Sequence, residues 1–565
     1  MMELSQFSCL LNQELNSRDL KKFSFEMDTL KSIKLSIERT LPFEYIAKFM
    51  PPFLSLWDKE GIFSYSDYDP SLLQIFKEDD DIDVYIFWMD WRLYMENMAP
   101  KQCAMWFSDR LLNTKSNCSI LVNNWPSFWN LDEKQYSANL SKRGWIYQFN
   151  VQLELLKHDF MQLEIIDLDL LSSQIGMSSY DSRNDKVSNY PLSNQLTMQV
   201  ARYISLNLLP AMLEPKLKAI VVDLDNTLYS GILGEDGIDG IQLTEEHIQF
   251  QKVLKNLKEN GILLAISSKN DETDVLELFE KRRDFPLQKD DFTFLEANWN
   301  SKAENIKVMA RKFNFDVSAM LFIDDNPAEL MHVMSEIPTI HLLLADATGK
   351  EMVHRLVNFP RLYSLEKDEL AEQRQQDILA NQKRYELQAK MSDGNDYLNS
   401  LHMQIGIYEN KKGHMQRVFE LGQKSNQFNL ALKRLTNSQV EERFKSKDYK
   451  IYTINLSDIL NDSGIIGAFI CQINEVTARF EEVFFSCRAL GRKVEDAALY
   501  FILIKLHNEH IQFVQFDTVK GPRNKPALDW IQSVSLNNFE KLVDIKNRLE
   551  EKLLDYPAEV IEKYE

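Results

Sequence analysis

The chain has 565 residues, 44% hydrophobic and 27% charged, a globular composition that excludes disorder throughout and, at roughly 100–200 residues per domain, points to three or four domains. With 65 Lys and Arg against 85 Asp and Glu, the net charge is −20. Such a field repels phosphate polymers and anionic lipid, so neither nucleic acid nor membrane is an expected partner.

Apolar runs followed by helical stretches predict α/β architecture along the whole chain. In the first third, Ile33–Ile37, Val84–Trp88, Ser119–Val122 and Leu163–Asp167 read as buried strands, with amphipathic helices at Leu41–Trp57 and Ala138–His158. This three-layer pattern ends near Glu214. A second segment opens at Lys216 with a strand into Asp223. It continues as helix Glu245–Asn260, strand Ile262–Ser267, helix Asp271–Lys281, strand Phe292–Leu295, helix Lys302–Phe313 and strand Met320–Ile323. That alternation requires a parallel sheet. From Gly349 to about Ser400 the composition shifts to Glu, Gln, Lys, Arg and Ala, as in a charged helical connector. Beyond Leu401, strands are predicted at Met403–Tyr408, Lys450–Leu456, Ile466–Ile473, Glu481–Ser486 and Gln512–Phe516. Helices are predicted at Met415–Leu421, Asn437–Lys445 and Glu495–Asn508, and a charged helix follows Asn538. The expected domains are residues 1–214, 215–347 and 401–565, with the connector over 348–400.

The five cysteines, Cys9, Cys103, Cys118, Cys471 and Cys487, are scattered and give neither a disulfide framework nor zinc spacing. The amino terminus has no signal-peptide pattern, and no run of about 18 apolar residues occurs. A reduced, cytoplasmic location is expected.

The sharpest motif is Ala219–Leu228, where an apolar run delivers Asp223 and Asp225 to a strand end. Paired carboxylates repel unless a hard cation lies between them, and magnesium suits such oxygens. Asp223 then serves as nucleophile on phosphorus, and Asp225 as the acid/base that protonates the leaving oxygen. Further along, Ser268 offers a hydroxyl to a phosphoryl oxygen and Lys302 a neutralising charge. Asp324 and Asp325 form a second acidic pair for the metal. Each has a plainer reading: a turn at Asp223–Asp225 or at Asp325, a helix cap at Ser268, a surface charge at Lys302. Their succession at consecutive strand and helix ends favours the catalytic one.

This succession resembles the haloacid dehalogenase (HAD) superfamily and, more closely, its FkbH-like proteins. The matching elements are Asp223–Tyr229, Gly234-Glu235-Asp236-Gly237, Ser268–Asn270, Asn298–Lys302 and Asp324–Pro327. The resemblance implies a magnesium-dependent enzyme that takes a phosphorylated acyl donor, 1,3-bisphosphoglycerate, and loads its glyceryl group onto an acyl carrier protein. If Asp223 attacked the acyl phosphate, the activated carboxyl would be lost as free acid. Asp223 is therefore assigned to the ester phosphate, and a thiol to the acyl carbon. Many relatives carry Cys before the Ser-Lys-Asn element where this chain has Ser267, which favours direct transfer to a carrier thiol or a different acyl donor. The gaps between Asp225, Ser268 and Lys302 leave no room for a globular cap, only a flap at Ser230–Leu243. The alternative is a stand-alone phosphatase acting on a protein or sugar phosphate.

In the last domain, the strand ending at Ser486 is followed by a basic loop and a helix. Arg488, Gly491 and Arg492 resemble the pyrophosphate loop of GNAT-type N-acyltransferases, with Lys493 replacing its final small residue. The likeness implies phosphopantetheine or CoA binding there. Cys487 lies beside this positive loop and is a second candidate nucleophile, although a buried strand-end role is the favoured reading. Gln423–Asn429 matches the FkbH-like pattern too. The first domain resembles the SGNH-hydrolase-like or flavodoxin-like domain found ahead of such modules. It lacks the nucleophile block, and Asp181–Asp185 stands where a closing Asp-x-x-His would be, so it reads as a degenerate docking or scaffold domain.

Overall fold

In the computed structural model the described residues are 4–15, 20, 30–72, 82–112, 118–130, 141–160, 162–313, 315–365, 376, 379–381, 383–384, 387–388, 391, 394–425, 427–486 and 491–562. The chain divides into two compact units. The first is Met1–Ala310 with Phe315–Glu369, and the second is Leu370–Glu565 with Arg311–Asn314.

The first unit holds two parallel sheets. Strands β1 (Lys31–Arg39), β2 (Lys59–Tyr68), β3 (Val84–Trp88), β4 (Ser119–Asn123) and β5 (Leu163–Ile166) lie in the order β2-β1-β3-β4-β5. This is one of the two common doubly wound orders. β3 to β5 are buried on nearly every residue, as sheets covered on both faces require. β2 is the edge strand with every residue half-exposed or exposed, so it carries no buried apolar run for a sequence reading to detect. The helix expected over Leu41–Trp57 is instead Glu44–Ala47, then Met50–Leu54, then a 3-10 turn at Ser55–Trp57. Pro51 and Pro52 lack the N–H groups a continuous helix needs and sit at the first turn of the second piece.

The second sheet is built from β6 (Ala219–Val222), β7 (Leu263–Ser268), β8 (Phe294–Ala297), β9 (Met320–Asp324) and β10 (His341–Leu344), in the order β10-β9-β6-β7-β8. All its pairings are parallel. The winding reverses between β6 and β9, and the carboxyl ends at such a switch point are where open α/β sheets bind ligands. One hydrophobic cluster runs through both sheets and takes in Met352, Leu356, Phe359 and Leu362. The chain beyond Ala345 therefore packs with the first unit up to Leu362.

In the second unit β11 (Gln404–Glu409), β12 (Tyr449–Ser457), β13 (Asp462–Asn474) and β14 (Thr477–Phe485) form an antiparallel run. The chain then crosses over through helix Val494–Asn508 to β15 (Phe513–Phe516), which pairs parallel with β14. β16 (Phe539–Lys541) and β17 (Glu559–Glu562) complete the order β16-β15-β14-β13-β12-β11-β17. β14 and β15 pair only from Thr477↔Phe513 to Phe480↔Phe516. Beyond that point Phe428–Leu430 runs along β14: Leu430 N–H donates to Val483 O at 3.0 Å, and Phe485 N–H to Phe428 O at 2.9 Å. Val519 N–H closes the far side on Leu430 O at 2.8 Å. Among the described residues no helix is long and apolar enough to cross a membrane.

Candidate active site at the second sheet

The register of β6 on β9 places Val222 beside Ile323, so the residues following each strand meet at one level. Asp223 continues the pairing by donating its N–H to Ile323 O at 2.9 Å. The chain then turns sharply: Leu224 O accepts from both Thr227 N–H and Leu228 N–H, and Asn226 adopts φ 50°. Carboxylate oxygens of Asp223, Asp324 and Asp325 lie within 4.8 Å of one another, an arrangement able to hold a metal ion. Asp223 and Asp324 are buried, and Asp325 is half-exposed.

Lys302 opens helix Lys302–Phe313 and is buried. Its Nζ lies 2.5 Å from Asp324 Oδ2 and 3.1 Å from Asp223 Oδ1. The second contact is an ion pair that the buried Asp223 Oδ1 makes with the same ammonium. Burial pushes Asp223 up to about 6 against the pull of Lys302, and raises Asp324 and Asp325 as well. Burial would lower the Lys302 ammonium, but Asp223 and Asp324 outweigh it and hold it above its ordinary range. One buried cation is thus set against three crowded carboxyl groups. This deficit of positive charge among clustered carboxylate oxygens fits a hard divalent cation.

Asp225 stands apart from that oxygen cluster. Its Oδ1 accepts from Tyr229 Oη–H at 2.7 Å and Leu233 N–H at 2.9 Å, and its Oδ2 from Asn270 Nδ2 at 2.9 Å. Asn270 also donates to Ser268 Oγ at 3.0 Å, tying the buried β7 hydroxyl to the acid/base candidate. The flap is anchored here. Ser230 and Gln242 exchange backbone hydrogen bonds at 2.9 and 2.8 Å, and the segment between carries a short helix, Leu233–Gly240, broken at Gly237 where φ is 67°. No domain is inserted between Asp225 and Ser268 or between Ser268 and Lys302. The positioning roles of Tyr229 and Asn270 escaped the sequence reading, although both residues lie inside the motifs named above.

In the second unit Cys487 and Arg488 lie outside the described residues. Gly491 is exposed at φ 80°. Arg492 is buried, and its Nη1 contacts Asp458 Oδ2 at 3.1 Å. Asp458 is also gripped by Arg384 through two hydrogen bonds of 2.8 and 2.9 Å. Burial lowers Arg492 to about 10, and its guanidinium belongs to an interior ion network. In the first unit, Asp185 binds Arg92 and Tyr180, and Asp181 caps the helix Ser182–Ser188.

No protein-family model matches the chain, and no curated protein does. Among solved structures, it resembles the N-terminal part of protein BF1531 from Bacteroides fragilis, described as containing a phosphatase domain complexed with Mg. The identity is 23%, the match covers 64% of this chain and all of that one, and the TM-score is 0.50. Two other solved structures match more weakly. The ribosomal-protein-S18-alanine N-acetyltransferase of Escherichia coli has 11% identity over 23% of this chain and 76% of that one, at a TM-score of 0.19. Tetrahymena GCN5 has 7% identity over 20% and 68%, at a TM-score of 0.16. The chain thus shares its fold, over the matched part, with a structure described as containing a phosphatase domain.

Proposed function

We propose that the chain is a magnesium-dependent phosphoryl hydrolase of the HAD type whose second unit is an acyl-transfer module. Together they load an acyl group from a phosphorylated donor such as 1,3-bisphosphoglycerate onto an acyl carrier protein. The observation that carries the hydrolase reading is the convergence of Asp223, Asp324, Asp325 and Lys302 at the switch point. Asp223, Asp324 and Asp325 would hold the magnesium, which would neutralise charge on the phosphoryl oxygens. A carboxylate oxygen of Asp223 attacks phosphorus as the bond to the leaving oxygen breaks. Lys302 offsets the carboxylate charge, and Ser268 holds a phosphoryl oxygen. Asp225 gives a proton to the leaving oxygen and takes one from the water that cleaves the aspartyl phosphate. Tyr229, Leu233 and Asn270 keep it oriented.

The antiparallel β11–β14 followed by a parallel crossover to β15 supports the acyltransferase reading of the second unit. The β2-β1-β3-β4-β5 order supports a flavodoxin-like scaffold in the amino-terminal part. A stand-alone phosphatase is the second reading. Two observations favour it: Arg492 is engaged by Asp458, and Phe428–Leu430 already takes up the β14 edge on which an extended pantetheine arm would pair. Incubation with magnesium, 1,3-bisphosphoglycerate and candidate carriers, followed by intact-mass measurement of the carrier, separates the two. A carrier gaining the glyceryl mass supports loading; phosphate release with unmodified carriers supports the phosphatase.

A further inference from the structure

Trp299 sits in the loop that leads from β8 into helix Lys302–Phe313, and none of the roles assigned above uses it. Seven of the chain's nine tryptophans are buried and Trp106 is half-buried, whereas Trp299 is 72% exposed. An indole left in water forgoes the burial that this large side chain usually supplies. The loop nonetheless holds it there. Asn298 N–H donates to Ser268 O at 3.1 Å, which extends the pairing of β8 with β7 to the end of both strands. Asn298 Oδ1 then accepts from Asn300 N–H and from Asn305 Nδ2, both at 3.1 Å, so a fixed turn carries Trp299 at the carboxyl rim of the sheet.

The ring is oriented as well. Its Nε1–H donates to Asp271 Oδ1 at 3.3 Å. Asp271 is the N-cap residue of helix Glu272–Lys281, yet its carboxylate makes no capping bond to that helix. A carboxylate in this position ordinarily accepts from the second or third N–H of its own helix. Here it is turned to the tryptophan instead.

Asp271 follows Asn270, whose Nδ2 donates to Asp225 Oδ2. The other oxygen of Asp225 accepts from Leu233 N–H, and Leu233 follows Ile232, which is 38% exposed. Two of the three donors that orient the acid/base candidate are therefore adjoined by an exposed apolar side chain or by the residue that fastens one. Asp225 faces the leaving oxygen in the reaction above, so these side chains stand on the side from which the alcohol departs. The charge around them is of one sign. Glu235, Asp236, Asp271 and Glu272 are exposed, and the neighbouring Lys269 is held by Glu329. A carboxylate on the departing alcohol would be repelled there.

We propose that Trp299 and Ile232 form a leaving-group subsite beside Asp225, and that the phosphate ester it selects has an uncharged leaving group with an apolar portion. The inference rests on the hydrolase reading above and narrows its substrate. The indole face and the isoleucine side chain cover that apolar portion, while Asp271 keeps the ring from turning away. A thioester of phosphoglycerate meets the description, because its carboxyl charge is gone and its thiol part is apolar. Free 3-phosphoglycerate does not.

The test uses the full chain with magnesium and two esters whose alcohols are similar in acidity, 2-phenylethyl phosphate and ethyl phosphate, so that only the apolar portion differs. Wild type should prefer the phenylethyl ester in kcat/KM. Trp299→Ala should cut that preference about tenfold or more, chiefly through KM, Ile232→Ser should cut it about threefold, and Trp299→Phe should keep most of it. 3-Phosphoglycerate should be a poorer substrate than ethyl phosphate. Calorimetry with 2-phenylethylphosphonate and magnesium reads the subsite without turnover, and Trp299→Ala should bind it about tenfold more weakly than wild type. An unchanged preference in Trp299→Ala, or equal phosphonate affinity in variant and wild type, would overturn the subsite. Absence of phosphate release from both esters in wild type would remove the hydrolase reading, whereas a phosphonate affinity that still depends on Trp299 would leave the subsite supported.

Discussion

Replacing Asp223 by Asn should abolish phosphate release and, in metal-free protein, stabilise the first unit. In the unfolded chain the carboxyl titrates near 3.8, whereas burial in the folded chain pushes it up to about 6. Between these values the folded chain binds more protons than the unfolded one, so stability falls as pH rises and the whole penalty is present above about pH 6. The gap, at about 1.4 kcal/mol per tenfold in proton affinity, corresponds to up to about 3 kcal/mol. The substituted amide has the same shape and no charge to bury, and Lys302 keeps Asp324 as its partner. The variant should therefore exceed wild type by up to about 3 kcal/mol at pH 8 in EDTA, with the difference shrinking toward zero near pH 4. The assay is denaturant unfolding in EDTA from pH 4 to 8, with the first unit's transition identified by amide exchange. Magnesium should reverse the order, because a ligand at a hundred times its Kd adds about 2.7 kcal/mol to wild type alone. A variant less stable than wild type in EDTA at pH 8, or a difference independent of pH, would refute the reasoning.

Lys302→Ala leaves two buried carboxyl groups without their counter-charge, at a cost of about 3–5 kcal/mol in EDTA. Magnesium should restore part of that loss in thermal melts, while phosphate release stays at least ~100-fold down. Tyr229→Phe removes one of the donors orienting Asp225 and should lower kcat about tenfold with KM unchanged, as read in steady-state hydrolysis. Arg492→Ala takes one partner from Asp458 but leaves Arg384 in place. Unfolding midpoints should show the second unit weakened by about 1–3 kcal/mol with p-nitrophenyl phosphate hydrolysis unchanged.

β6, β7 and β9 and the acids after β6 and β9 were legible because each follows a short apolar run, and a parallel buried strand announces itself by continuous hydrophobicity, whereas β10 was not predicted. β2 and β17 were not, since edge strands need no apolar run and both are largely half-exposed or exposed. The pairing of Phe428–Leu430 with β14 joins segments distant in sequence, and no local pattern records it. Arg492 shows the converse limit. A basic residue beside a helix start reads as an anion site, yet Asp458, distant in sequence and shared with Arg384, draws it into the interior. The separation of Asp225 from the Asp223–Asp324–Asp325 oxygens was equally hidden, because it depends on where Tyr229, Leu233 and Asn270 place their donors.

The strand order also explains why the cation at residue 302 is a lysine. Asp223 and Asp324 come from adjacent strands, so parallel register alone brings their carboxyl groups together. Lys302 follows β8, which is separated from β6 by β7 and from β9 by both. Strands lie about 4.8 Å apart, so a short side chain at the start of that helix would fall well short of Asp324. The four-carbon stem spans the gap, with the ammonium passing 5.9 Å from the Phe322 ring centroid and ending between the two carboxylates. Guanidinium would reach as far, but its planar fork demands paired acceptors where Asp223 and Asp324 present one oxygen each. Reach and point charge together make lysine the residue this topology calls for, and its burial at 3% exposure is the cost of placing that charge between Asp223 and Asp324.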